Sequence, residues 1–328
     1  MVSFTVFKGS QDGKIIKSST TREIAPDEVL VKITHSGVCG TDIHFQHTDM
    51  ALGHEGAGIV EQIGQSVKTL SINDHVGWGW VHSTCGSCAQ CLSGLENLCP
   101  YSQAYGNADL DQGSFGTYGV WKAGFLFKIP SSMDLLHAAP LMCGGATVFH
   151  AMRDVKSTDR VGIIGVGGLG HLAVQFAAKM GCDVVVFSST EDKREEAVGL
   201  GADQFVATRG KDSLEIGRPV DHLFVTTSKP PKWEVYLPLM APRGTIYPLS
   251  VDGGELKVPY KVIMDLEMRV QGSVVSPVGT QRRMIEFAAR HGVKPVVEKF
   301  GMSVEGIEKA MGRLGEGKMR YRGVLVVE

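Results

Sequence analysis

Short apolar runs alternate with glycine and polar turns over the first 145 residues, as in Val29-Leu30-Val31-Lys32-Ile33, Gly58-Ile59-Val60-Glu61 and Ser114-Phe115-Gly116-Thr117-Tyr118. Runs of this length bounded by turn residues predict the strands of an irregular β domain. Near Arg160 the pattern changes. A predicted strand at 161–165 leads through a glycine turn into a helix-length run at 169–180, then a strand at 183–187 and a charged helix at 191–200. Apolar runs at 204–207 and 222–225 continue the series. Strands alternating with helices indicate βαβ units on a parallel sheet. A helix at 280–291 and a strand at 321–327 close the chain, and periodicity assigns this tail to neither part.

A chain of 328 residues exceeds what one core usually holds, so two domains are expected. With 43% hydrophobic and 21% charged residues and 41 glycines, the composition is that of a globular α/β protein rich in turns. The formal charge of -2, with no basic run, excludes the phosphate-neutralising surface of a nucleic-acid binder. Residues 1–19 lack a secretory apolar segment, and no window approaches the roughly 20 apolar residues of a membrane span. A cytoplasmic protein with no membrane partner is expected, and in a reducing compartment its seven cysteines serve as thiols or metal ligands.

Cys85, Cys88, Cys91 and Cys99 fall within fifteen residues. Such a loop can wrap four thiolates around zinc at about 2.3 Å. Four sulfurs leave no open position, so the metal would be structural and its binding energy would order a polar loop. An iron–sulfur cluster, or free or disulfide-linked cysteines, are the alternatives. Of the three cysteines that remain, Cys39 opens Cys39-Gly40-Thr41-Asp42-Ile43-His44, with Gly53-His54-Glu55 close behind. Catalytic zinc takes three protein ligands and keeps one position open, and Cys39, His54 and Cys143 can supply a two-cysteine, one-histidine set. Taken singly, a cysteine is more often a small buried hydrophobe. Cys182 reads as a buried thiol at a helix end.

Gly165-Val166-Gly167-Gly168-Leu169-Gly170 is a GxGxxG between a predicted strand and a predicted helix. In that context Gly165, Gly167, Gly168, Leu169 and Gly170 let the backbone approach a pyrophosphate at a helix N-terminus. The second strand runs into Ser188-Ser189-Thr190-Glu191-Asp192-Lys193. An acid at this strand end serves the ribose diol of NAD and repels a 2′-phosphate. Serine there, with hydroxyls from Ser189 and Thr190 and charge from Lys193 or Arg194, suits NADP(H); Glu191 opposes that preference if its carboxylate turns inward.

These motifs, with Ala139-Pro140-Leu141-Met142-Cys143-Gly144-Gly145-Ala146-Thr147 and the closing Arg320-Tyr321-Arg322, resemble the zinc-containing medium-chain alcohol dehydrogenases, and among them the cinnamyl alcohol dehydrogenase-like branch. The resemblance implies an α/β protein in which a GroES-like β-rich catalytic domain over 1–145 and 276–328 accompanies a Rossmann doubly wound parallel sheet over 146–275. It implies that Cys39, His54 and Cys143 bind catalytic zinc, with Glu55 as alternate ligand and Asp42 fixing the tautomer of the ligand histidine. Thr41 and His44 become a relay carrying the alcohol proton through the cofactor ribose to solvent. Thr147, Ser273 and Arg322 join the cofactor contacts. The implied activity is that of an NADP(H)-linked alcohol dehydrogenase or aldehyde reductase on primary alcohols and aldehydes, aromatic or medium-chain aliphatic. Two zinc ions per chain and a homodimer through the Rossmann sheet edge, or a homotetramer, go with it.

Only eight residues, 45–52, separate His44 from Gly53, where the family usually carries a longer loop ending in proline. That loop borders the substrate cleft, so the shortening implies a more open or differently shaped entrance. His47 is a spare ligand candidate, and Phe45, Trp78, Trp80 and Phe115 are either pocket walls or ordinary packing. Two rival functions carry their own signatures. A reductase of activated C=C or C=N bonds would lack the relay residues, and an NADPH-binding structural or RNA-associated module would lack the zinc ligands; Thr41, His44, Cys39, His54 and Cys143 are all present.

Overall fold

Strand Glu28–Val38 is the axis of the first of two units. Its side chains Val29, Val31 and Ile33 are wholly buried against Val60, Val76, Trp78 and Trp121. Because a one-residue slip would turn them to solvent, this buried face fixes the register. The strand pairs antiparallel with Gly56–Ile63, Tyr118–Lys122 and Arg322–Val326. The sheet continues through His75–Trp78 to Phe127–Lys128 on one side and to Val297–Gly301 on the other. The computed structural model describes residues 1–251 and 255–327. The first unit comprises Met1–Ala146 with Val275–Glu328 and the second Thr147–Val274.

The tail therefore returns to the first unit. Helix Val304–Gly315, for which periodicity gave no expectation, starts at Ser303, whose hydroxyl accepts the Gly306 N–H at 3.1 Å. Its Ile307, Ala310 and Met311 pack with Phe7, Val38, Met50, Leu52 and Phe115, and a fully buried side chain such as Ile307 stabilises by about 1.5–3 kcal/mol. The expected strand at 114–118 is not formed, since strand structure begins only at Tyr118. The N–H groups of Ser114 and Phe115 instead bond the carbonyls of Gly53 and Leu52 at 2.9 Å each, and the run bridges two segments.

The second unit is a six-stranded parallel sheet in the spatial order Gln204–Ala207, Asp183–Ser188, Arg160–Ile164, Val220–Val225, Met240–Pro248, Arg269–Val270. Numbered along the chain this is 3-2-1-4-5-6, the Rossmann order, in which nucleotides bind where the order reverses beside the first strand. Val184, Val185, Val186 and Phe187 are all wholly buried, which is why this strand is a continuous apolar run rather than an alternating one. The helix expected at 191–200 is interrupted. A 3₁₀ turn, Glu191–Lys193, precedes helix Arg194–Gly199, as Lys193 leaves helical geometry and its Nζ reaches the Val166 carbonyl at 2.6 Å. No described helix is long and apolar enough to cross a membrane.

In the first unit, Asp109 ties the N-terminal hairpin to the loop that follows the cysteine lobe. Arg22 Nη2 donates to its Oδ1 at 2.7 Å and His82 Nδ1 lies 3.1 Å from its Oδ2. Burial alone would raise its pKa, but His82 and Arg22 outweigh burial and hold it down at about 2. A depressed aspartate adds stability above its unfolded pKa of about 4, and that stability is lost as pH falls toward the folded value. Asp109→Asn is therefore expected to remove about 2 kcal/mol at pH 7, with the gap to the parent narrowing below pH 4. Urea unfolding across this range measures it, and a pH-independent gap would assign the loss to packing instead.

Candidate metal centres and nucleotide turn

Cys39 precedes helix Gly40–Phe45, and Asp42 in the first turn accepts the Cys39 N–H on Oδ2 at 2.8 Å. His54 follows Gly53, whose φ is 91° and where a Cβ would come within 2.4 Å of Phe115 and of the Ser114 hydroxyl. Only glycine fits this turn, and the turn delivers His54 to the interior. Cys143 lies in a π-helical turn, Leu141–Gly145, between helices Leu135–Pro140 and Ala146–Ala151. Such widened turns recur at functional sites.

One ligand atom each from Cys39, His54, Glu55 and Cys143 lie within 4.8 Å of one another. His54 Nδ1 sits 3.1 Å from Asp42 Oδ1, while Nε2 is buried with no hydrogen-bond partner. Leaving a buried polar atom unpaired costs about 1–3 kcal/mol. An orphaned imidazole nitrogen grouped with two thiols and a carboxylate fits a metal with two sulfur ligands, one nitrogen ligand and a reserve oxygen. Burial would push His54 down, but Asp42 outweighs it and holds the ring well above its usual range. Cys39 is held well below the ordinary thiol range by the facing Cys143, against burial; Cys143 is pushed well above it by Cys39 and by burial. Burial raises Glu55 to about 7, against the pull of Arg322. Arg322 Nη2 donates to Glu55 Oε1, and Oε2 has no partner. Metal uptake here releases protons, because thiolate and neutral imidazole are the ligating forms.

Thr41 Oγ1 lies 3.7 Å from Cys39 Sγ, and His44, in the last turn of the same helix, is exposed. His47 is not a ligand: it is exposed, with Nδ1 3.3 Å from the Gln11 carbonyl and outside the ligand group. Trp78 and Phe115, at 2% and 0% exposure, belong to core clusters. Trp80 and Phe45 are half-buried; Trp80 stands edge-on to His54 with centroids 5.5 Å apart, and Phe45 edge-on to Tyr105 at 5.3 Å. Tyr105 was not expected at the site. It stacks on His54 at 4.6 Å and donates to Asp42 Oδ1 at 2.8 Å, yet Gln103-Ala104-Tyr105-Gly106 carries no motif that marks it.

In the cysteine lobe the sulfur separations are 4.0 Å for Cys85 and Cys91, 3.8 Å for Cys88 and Cys99 and 3.6 Å for Cys85 and Cys99. A tetrahedron with bonds of about 2.3 Å has edges of about 3.8 Å, whereas a disulfide needs about 2.05 Å. The lobe thus has the geometry of a closed four-thiolate metal site. Backbone N–H groups of Ser87 and Cys88 lower Cys85 to about 6, which favours the ligating thiolate. Cys182 is separate: buried just past helix Gly170–Met180, its Sγ faces the Lys156 carbonyl at 3.4 Å.

In the second unit, Gly165 has φ of 96° and a Cβ there would meet Thr227 at 2.8 Å, while a Cβ at Gly170 would fall 1.9 Å from the Gly165 carbonyl. At Gly167 a Cβ would enter open space. Gly168 and Leu169 complete the turn, and the Leu169 carbonyl accepts from Ala173 at 2.9 Å as helix Gly170–Met180 begins. This is the cradle a pyrophosphate requires. Ser188 ends the second strand almost buried, Ser189 is exposed, and Thr190 Oγ1 donates to Asp192 at 2.9 Å. Glu191 is exposed and held by Arg194 through two bonds of 2.6 and 3.0 Å. Thr147 is half-buried in helix Ala146–Ala151, and Ser273 Oγ is buried without a partner.

Residues 25–131 match the alcohol dehydrogenase GroES-like domain family and residues 168–290 the zinc-binding dehydrogenase family. The aldehyde reductase AdhA of Synechocystis is 34% identical over 92% of both chains. The chain belongs to the zinc-binding alcohol dehydrogenases. Another relative, cinnamyl alcohol dehydrogenase 8 of Arabidopsis thaliana, is 32% identical over 94% of this chain and 90% of its own. Among solved structures, a cinnamyl alcohol dehydrogenase of Sorghum bicolor aligns with a TM-score of 0.91 at 29% identity, covering 99% of this chain and 98% of that one. CAD of Helicobacter pylori complexed with NADP(H) aligns at 0.90 and 25% identity, with the same coverage. Membership of a zinc-binding dehydrogenase family and the two ligand groups identify zinc as the metal.

The two groups predict opposite responses. Cys39→Ser should lose one zinc and keep a near-parental melting temperature, because its surroundings are packed core. Cys88→Ser should lose the lobe zinc and melt about 5 °C lower or more, since that metal orders its own loop. Metal analysis with thermal unfolding decides, and a reversal of the two outcomes would exchange the sites.

Proposed function

We propose that this chain is an NADP(H)-linked, zinc-dependent alcohol dehydrogenase and aldehyde reductase acting on primary alcohols and aldehydes, aromatic or medium-chain aliphatic. The observation that carries the reading is the group of Cys39, His54 and Cys143, with an orphaned His54 Nε2 and the Thr41 hydroxyl beside it. Relatives named as aldehyde reductase and cinnamyl alcohol dehydrogenase support the substrate class. The NADP(H) complex of the Helicobacter pylori protein supports the cofactor. So does the serine that ends the second strand, with the Glu191 carboxylate engaged by Arg194.

Cys39, His54 and Cys143 would hold the catalytic zinc, which when bound supplies Lewis-acid polarisation of the substrate oxygen. Asp42 keeps the His54 proton on Nδ1 and so leaves Nε2 free to ligate. Thr41 holds the proton exchanged with the substrate oxygen, and exposed His44 passes it to solvent. Glu55, paired with Arg322, is the reserve ligand. Ser188, Ser189, Thr190 and Lys193 receive the 2′-phosphate, and Gly165, Gly167, Gly168, Leu169 and Gly170 the pyrophosphate, with Thr147, Ser273 and Arg322 as further cofactor contacts. We also infer a cytoplasmic homodimer. Free thiols and metal thiolates suit a reducing compartment, and the edge strand Arg269–Val270 is exposed, with exposed Tyr260, Met264 and Val274 in its flanks.

Zinc analysis combined with NADPH and NADH oxidation on a panel of aldehydes tests the reading. NADPH-dependent reduction by a chain holding both metals is expected, and a fully metallated chain without carbonyl turnover would overturn it. Ser188→Asp should shift preference toward NADH by at least about tenfold, since a hydrogen bond to a charged group contributes about 1.5–3 kcal/mol. An unchanged cofactor ratio would remove this turn from the specificity argument.

A further inference from the structure

Tyr105 has no part in the reading above, and its surroundings give it one. The ring is 2% exposed and stacks on the imidazole of His54, with centroids 4.6 Å apart and planes 29° apart. Its hydroxyl sits at a junction. It accepts the N–H of Gly53, the residue before His54, at 3.0 Å, and donates at 2.8 Å to Asp42 Oδ1, the same oxygen that lies 3.1 Å from His54 Nδ1. Tyr105 is itself braced, since its N–H donates to the Trp80 carbonyl at 2.9 Å and Phe45 and Trp80 stand edge-on to it at 5.3 and 5.6 Å. One side chain thus touches the face of the ligand ring, the backbone that carries it and the carboxylate behind it.

A carboxylate bonded to one nitrogen sets the tautomer of an imidazole but leaves the ring free to swing about that bond. A phenol stacked on the ring and bonded to the same carboxylate removes the swing. We propose that Tyr105 is a positioning residue for the catalytic metal, holding Asp42 and His54 in the one arrangement that presents Nε2 to Cys39 and Cys143. Because Tyr105 follows Cys99 by only six residues, it also joins the ligand set to the four-cysteine lobe. The inference rests on reading Cys39, His54 and Cys143 as a metal site, and does not depend on the reaction proposed there.

Tyr105→Phe deletes the junction oxygen and keeps the ring. Metal affinity of the full-length protein is read by chelator competition, and ligand geometry by the visible spectrum after cobalt substitution. The lobe metal should stay at parental affinity while the Cys39 site weakens about ten- to a hundredfold, as is usual when a partner of a ligand histidine is lost. The double variant Tyr105→Phe/Asp42→Asn should lose clearly less than the sum of the two single variants, because Tyr105 acts largely through that carboxylate. Parental affinity at the Cys39 site in Tyr105→Phe, or losses that add in the double variant, would overturn the proposal. If Tyr105→Phe does not fold, 3,5-difluorotyrosine at position 105 keeps the shape and strengthens the donor. An altered cobalt spectrum is expected there, and a spectrum identical to the parent's would overturn the proposal equally. A chain that binds both metals yet reduces no aldehyde would sink only the reaction.

Discussion

A carboxylate removed from water destabilises a fold by several kcal/mol unless its charge is met by donors. Asp42 is fully buried, and three donors converge on it: the Cys39 N–H, the Tyr105 hydroxyl and His54 Nδ1. These donors come from three segments distant in sequence: the start of helix Gly40–Phe45, the turn at Gly53 and the loop beyond the cysteine lobe. Any one of them withdrawing would leave a buried charge underpaired, so the segments hold one another in place. Two of the three donors belong to the group proposed to hold the metal, so meeting the demands of one carboxylate also sets the spacing of Cys39 and His54.

The same logic is repeated on the other side of the site. Strand Arg322–Val326 pairs with Glu28–Val38 so that Gly323 faces Val38, the residue before Cys39. That register carries Arg322 to the buried carboxylate of Glu55, the neighbour of His54. Strand Arg322–Val326 is therefore tied to the candidate ligand group, which gives a physical reason for the tail to join the first unit. It completes a sheet and also supplies a cation that a buried acid requires.

Much of this was legible in the sequence because metal and phosphate chemistry constrain residue type and spacing together. Four cysteines in fifteen residues and a glycine motif between a strand and a helix have few other uses. What escaped reading depends on contacts distant in sequence. Tyr105 acts through two hydrogen bonds to residues at least 52 positions away and through a ring stacked on His54, and nothing beside it in sequence announces them. The break at Lys193 arises from a reach back to Val166. Trp78 and Phe115 are pocket walls or ordinary packing by sequence, and their burial assigns them to the core. The tail could not be assigned by periodicity because its placement is a matter of strand pairing.

The shortened segment 45–52 takes its meaning from the same packing. Five backbone bonds pin this stretch to its neighbours: Gly9 to Met50, Ser10 to Gln46, Leu52 to Phe7, Ala51 to Leu110 and Phe115 to Leu52. Met50 and Leu52 are buried in the cluster that includes Tyr105 and Ile307. A segment with buried anchors and backbone bonds to two other parts of its unit opens only with the core around it, in contrast to a lid, which is drawn from the least stable parts of a fold. The aromatic surroundings of His54 are thus set by packing, and segment 45–52 is part of the core that backs Tyr105 and, through it, the His54 ring.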